Sequence, residues 1–127
     1  MPISFDYATI RVVPRVERQE FINAGIIVFC LEKNVLAARI HLNEQRLKAL
    51  WPEIDIPLVQ KHLEAIEKIC KGEADGGPVA TLSKRERFHW LISPRSTIIQ
   101  PSPVHTGLCE NAEAVPDRLA KQILDLT

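Results

Sequence analysis

The 127 residues carry 16 basic and 16 acidic side chains, with 46% hydrophobic and 25% charged residues. A chain of that length suits one domain, residues 1–127, with a single core that needs no staples. Its balanced charge excludes a global pull toward nucleic acid or a membrane surface.

The chain opens on MPISFDYATI, which lacks the basic start and apolar stretch of a secretory leader. No run approaches the roughly 20 apolar residues of a membrane span, so the expected setting is soluble and cytoplasmic. Residues 5–13, FDYATIRVV, are β-branched and aromatic and predict a strand ended by Pro14. Ala8, Ile10 and Val12 share one face; Tyr7, Thr9 and Arg11 share the other. Arg15, Glu17, Arg18 and Glu20 alternate in sign and read as a solvated, self-neutralising link. Asn23-Ala-Gly25 predicts a tight backbone turn, and Gly25 to Leu31, unbroken and apolar, predicts a central strand covered on both faces. Glu32-Lys33-Asn34 makes a hairpin connection with Asn34 in the left-handed position. A third strand over Val35–Leu42 would send Leu36, Ala38, Ile40 and Leu42 inward.

Helices follow. Asn43 caps a short one with Leu47, Leu50 and Trp51 on one face, stopped by Pro52. Asp55 caps a second, whose stripe is Val59, Leu63, Ile66 and Cys70, and Gly72 is its terminator. EADGGP predicts a surface loop. Ser83-Lys-Arg-Glu86 is a capping box opening a helix that buries Phe88, Leu91 and Ile92 before Pro94. Thr97–Gln100 is an extended edge piece. A last helix from about Val115 to Leu126 would turn Val115, Leu119, Ile123 and Leu126 inward. Cys30, Cys70 and Cys109 are odd in number and widely spaced, which predicts reduced, buried thiols rather than a disulfide framework.

The chemistry concentrates in Arg87–Gly107, RFHWLISPRSTIIQPSPVHTG. Three prolines punctuate short apolar runs there, two arginines and two histidines are the ionisable groups, and no acid occurs. Across residues 81–109 four bases face Glu86 alone, whereas residues 43–80 hold seven acids against five bases. Arg95, in a Ser-Pro-Arg-Ser-Thr turn, has the planar fork that suits carboxylate or phosphate, and Ser96 and Thr97 can complete an anion cradle. The competing reading gives Arg95 a salt bridge and the serines to the backbone. His105, before Thr106 and Gly107, suits an acid/base or a ligand-bonding imidazole, or simply a hydrogen-bonded turn. Trp90 beside Phe88 and His89 offers a base-stacking platform with Arg87 on the phosphate, or simply buried core aromatics on a short helix. No CxxC, HExxH, GxSxG, GxGxxG or GxxxxGK[ST] is present, so metal, nucleophilic and mononucleotide-loop chemistry have no motif here. No metal and no cofactor are expected.

DYATIRVVPRVERQEFINAGIIVFC (Asp6–Cys30) and RFHWLISPRSTIIQPSPVHTGL (Arg87–Leu108) resemble the hallmark segments of the bacterial domain of unknown function 3037 family. The resemblance covers nearly the whole chain, supplies no activity, and implies a HipA-like kinase as a partner. Arg11, Glu17, Asn23 and Gly25 match in the first segment. Phe88, Trp90, Pro94, Arg95, Ser96, Thr97, Gln100, Ser102, His105 and Gly107 match in the second. Arg11, Asn23, Arg95, Ser96, Thr97, Gln100, Ser102 and His105 are therefore the candidate ligand-binding set.

The expected fold is α+β: an antiparallel meander of three long strands plus a short edge piece within 97–106, packed on one side by three or four helices. Its other face would be covered by a second copy or a partner protein. The expected function is a cytosolic binding or regulatory module with a protein partner and a small anionic ligand. The alternative is an enzyme on a phosphorylated or nucleotide substrate, with Arg95 as clamp and His105 as acid/base.

Overall fold

The computed structural model describes residues 1–95 and 97–124. Its β-branched runs form β1 (Ile3–Val12), β2 (Ile22–Cys30) and β3 (Val35–Ile40), an antiparallel meander in which Ala8 pairs with Ile27 and Ile27 with Ala38. Asn34 closes the second hairpin at φ 54°, the left-handed conformation its short polar side chain tolerates. β3 ends at Ile40, two residues before the expected Leu42, although the His41 amide still bonds to the Ala24 carbonyl.

Asn23, Ala24 and Gly25 do not form a turn. They lie inside β2, where the register with β1 shifts between Ile10 and Arg11: Ile10 faces Gly25 and Arg11 faces Asn23. Ala24 is the extra residue of a β-bulge, a feature that re-aims side chains at sheet ends.

The expected edge piece is two strands. β4 (Ile99–Pro101) pairs with the C-terminal part of β1, and β5 (His105–Cys109) with its N-terminal part, both antiparallel. Pro103 cannot donate to a ladder, which separates the two. The five-stranded sheet thus runs β3-β2-β1, with β4 and β5 sharing the far side of β1.

Three helices carry the caps read from the sequence. In α1 (Glu44–Leu50) the Asn43 side chain accepts from the Arg46 amide; in α2 (Ile56–Lys71) Asp55 accepts from Leu58. In α3 (Lys84–Leu91) Ser83 accepts from Glu86. Each such cap is worth about 1 kcal/mol. Gly72 ends α2 at φ 70°. The segment after it winds into two short 3-10 turns, Ala74–Gly76 and Pro78–Thr81, rather than an open loop.

Helices cover both faces of the sheet. Ile10, Val12, Ile27, Phe29 and Leu36 pack under α2 and α3, with Phe29 and Phe88 stacked at 5.1 Å between ring centroids. On the opposite face Ile3, Phe5, Ile26, Val28 and Cys30 pack under α4 (Val115–Ile123) through Val115, Leu119 and Ala120. The expectation that helices occupy one side only is corrected by α4: the chain supplies its own cover for the second face. Val115 and Leu119 point inward as expected, Ile123 is half-buried, and Leu126 lies outside the described residues.

Gly107 has a packing reason. A Cβ there would stand 2.7 Å from Phe5 Cζ, because the Phe5 ring lies across the glycine. Phe5 is only 4% exposed, so the ring has little room to yield. Gly107→Ala should destabilise the fold by about 1–2 kcal/mol. An unchanged urea midpoint would refute this account of the contact.

Candidate anion-binding site

The bulge places Arg11 at the end of the sheet with Asn23 opposite it on β2 and Gln100 opposite it on β4. Cross-strand partners share a face, so the three side chains form one row. The Arg11 guanidinium lies 4.2 Å above the Phe21 ring, and its Nε is buried without a hydrogen-bond acceptor among the described residues. A buried donor with no acceptor is costly and calls for an explanation such as a ligand or water.

Arg95 approaches the same place from the end of α3. Its guanidinium lies 4.3 Å above Trp90; Nη2 donates to the Trp90 carbonyl at 2.7 Å and Nη1 to the Leu91 carbonyl at 3.2 Å. These bonds satisfy carbonyls of the last helical turn and lock the side chain. Burial lowers the pKa of Arg95 below the ordinary arginine value. Among the described residues neither Arg11 nor Arg95 meets a carboxylate within salt-bridge distance.

Arg11 and Arg95 both line a cleft of about 300 Å³, together with Gln19, Phe21, Gln100 and two valines, Val13 and Val16. Among the described residues its lining contains no acid. The neighbouring acids are already engaged: Glu17 pairs with Arg15 and Glu20 with Arg18, the self-neutralising pattern read from the sequence. Phe21 and Gln19 escaped sequence reasoning because they sit in what reads as a charged link. The one available signal was an isolated aromatic at its end.

The remaining candidates separate. Asn23 is exposed and lines an adjoining pocket of about 180 Å³ with Phe21, His41, Asn43 and Arg46. Gln100 donates to the Thr97 carbonyl at 2.8 Å, and the Thr97 hydroxyl donates to the Ile99 carbonyl at 2.9 Å, which shapes the turn before β4. Ser102 is buried; its hydroxyl accepts from the Thr9 amide and donates to the Pro103 carbonyl, both at 2.8 Å. Those bonds extend the β1–β4 ladder past Pro101. His105 is exposed opposite Tyr7, with the rings 5.3 Å apart. Tyr7 is four residues from Arg11 along β1, about 13 Å at strand spacing, so His105 does not reach the cleft. Ser96 lies outside the described residues.

Arg87, grouped by sequence with the basic surplus, is 7% exposed and binds the Ile69 and Cys70 carbonyls at the end of α2. Trp90 is 41% exposed but spends one ring face on Arg95. The three cysteines are free and buried, and burial pushes the Cys70 thiol up to about 12, far from a nucleophilic range. No helix among the described residues is long and apolar enough to cross a membrane.

No curated protein and no solved structure matches the chain. Residues 7–124, which take in nearly all of the two hallmark segments, match the family described as protein of unknown function (DUF3037), and the chain belongs to that family.

Proposed function

We propose that this protein is a small cytosolic binding or regulatory module that receives an anionic group, carried by a ligand or a partner protein, in the Arg11–Arg95 cleft. The observation that carries this is that Arg11 and Arg95, each with its guanidinium stacked on an aromatic ring, line one cleft with no acid among its described residues. Stacking holds the planar forks in place before the anion arrives, which reduces the ordering cost of binding. The enzymatic alternative finds less support. Its acid/base, His105, sits on β5, and the cleft lining supplies no other group titrating near neutrality.

Arg11→Ala and Arg95→Ala should each weaken binding of phosphate or pyrophosphate by about 1.5–3 kcal/mol, the range of a charge-assisted hydrogen bond. Isothermal titration measures this. Stability should fall by only about 1 kcal/mol for Arg95→Ala, the worth of a cation at a helix C-terminus. Wild-type affinity in both variants would sink the proposal. A loss of about 3–5 kcal/mol in stability would make Arg95 part of the scaffold. The HipA-like kinase implied by family resemblance is tested by pull-down, and no association at micromolar concentration would remove it as the partner.

A further inference from the structure

We infer that the anion received in the cleft is the phosphate of a nucleoside phosphate, whose base is read in the adjoining pocket lined by Asn23, His41 and Asn43. The inference rests on the anion-binding reading and extends it across Phe21. Phe21 lines both cavities: the cleft with Arg11 and Arg95, and the pocket with Asn23, His41, Asn43 and Arg46. Phe21 is 42% exposed even with Arg11 stacked upon it, so part of its ring faces the space that a ligand bridging the cavities would occupy.

The two cavities differ in chemistry in the way a nucleotide does. The cleft offers two arginines and, among the described residues, no acid. The pocket offers the neutral polar groups of Asn23, His41 and Asn43 beside one cation, Arg46, and apolar walls. Asn43 commits its Oδ1 to the Arg46 amide, which leaves its NH₂ as a donor. Asn23 is exposed beside it, and a side-chain amide presents the adjacent donor and acceptor that match a base edge. His41 adds an imidazole whose exposed ring can stack or bond. Among the described residues neither lining includes Asp or Glu.

Arg11 and Asn23 are register partners on adjacent strands, about 4.8 Å apart, so the two cavities adjoin. An inorganic anion would use the first cavity and leave the second idle. A mononucleotide uses both, and puts its sugar or base against Phe21.

Isothermal titration with inorganic phosphate, ribose 5-phosphate and the four nucleoside monophosphates tests this. At least one nucleotide should bind about fivefold or more tighter than ribose 5-phosphate, the low end of a base stacked on an aromatic ring. Asn23→Ala and His41→Ala, both at exposed positions, should remove that preference. Phe21→Leu should reduce the preference as a second, fold-conserving variant. Equal affinity for ribose 5-phosphate and every nucleotide would overturn the base pocket and leave the anion cleft standing. A preference that survives both Asn23→Ala and His41→Ala would also overturn it. No binding of any of these compounds would overturn both readings.

Discussion

Arg87→Ala is expected to destabilise the protein by about 3 kcal/mol, although sequence alone places this residue among surface cations. Its Nη1 donates to the Ile69 carbonyl at 2.9 Å and to the Cys70 carbonyl at 3.0 Å. Those carbonyls belong to the last turn of α2, where Gly72 turns the chain away. The side chain therefore ties α2 to α3 from a position only 7% exposed. Alanine removes hydrogen bonds to a charged donor, worth about 1.5–3 kcal/mol each, and leaves a buried gap. Lysine should recover only part of the loss, because it lacks the planar fork. Because the group is buried, added salt should alter the difference little. Urea unfolding measures all three statements, and a loss below about 1 kcal/mol, typical of an exposed charge, would refute the buried-tie account.

Gly25→Val should cost about 3 kcal/mol or more, against intrinsic strand preference, which favours valine over glycine. Gly25 is buried in β2 between its partners Ile10 and Ile40. A Cβ there would stand 2.7 Å from Ile40 Cδ1 and 2.9 Å from both Ile10 Cδ1 and the Arg39 carbonyl oxygen. The two isoleucine ends can swing aside, but the Arg39 oxygen is backbone and moves only with β3. Gly25→Ala should cost about 1–3 kcal/mol, and the extra methyl groups of valine add to it. The change also disturbs the bulge that aims Arg11, so the alanine variant should bind phosphate more weakly than wild type. Valine at wild-type stability would show that the approach of β3 is not a constraint.

Much of the local structure was legible because it depends on near neighbours. Asn43, Asp55 and Ser83 cap their helices as read, since an Ncap side chain bonds an amide two or three residues on. Asn34 and Gly72 take the left-handed conformations assigned to them. The α2 stripe Val59, Leu63, Ile66 and Cys70 is buried, because a 3.6-residue repeat puts those positions on one face. Of the site, Arg95, Arg11 and Gln100 were named in advance and do share a cleft. Phe21 and Gln19 were not, since nothing local marks a link residue as a cavity wall.

What the sequence determined by itself is the α+β class, the meander, the helix caps and the buried thiols, all set by periodicity and by bonds between residues close in the chain. What only the tertiary structure decided is long-range. It set which face of the sheet α4 covers, the division of residues 99–109 into two strands on one side of β1, and the burial of Arg87. It also separated His105, opposite Tyr7, from Gln100, opposite Arg11, five residues apart in sequence but paired with opposite halves of β1. Each of these depends on how strands pair across dozens of residues, and a one-residue change of register, such as the bulge at Ala24, re-aims every side chain beyond it.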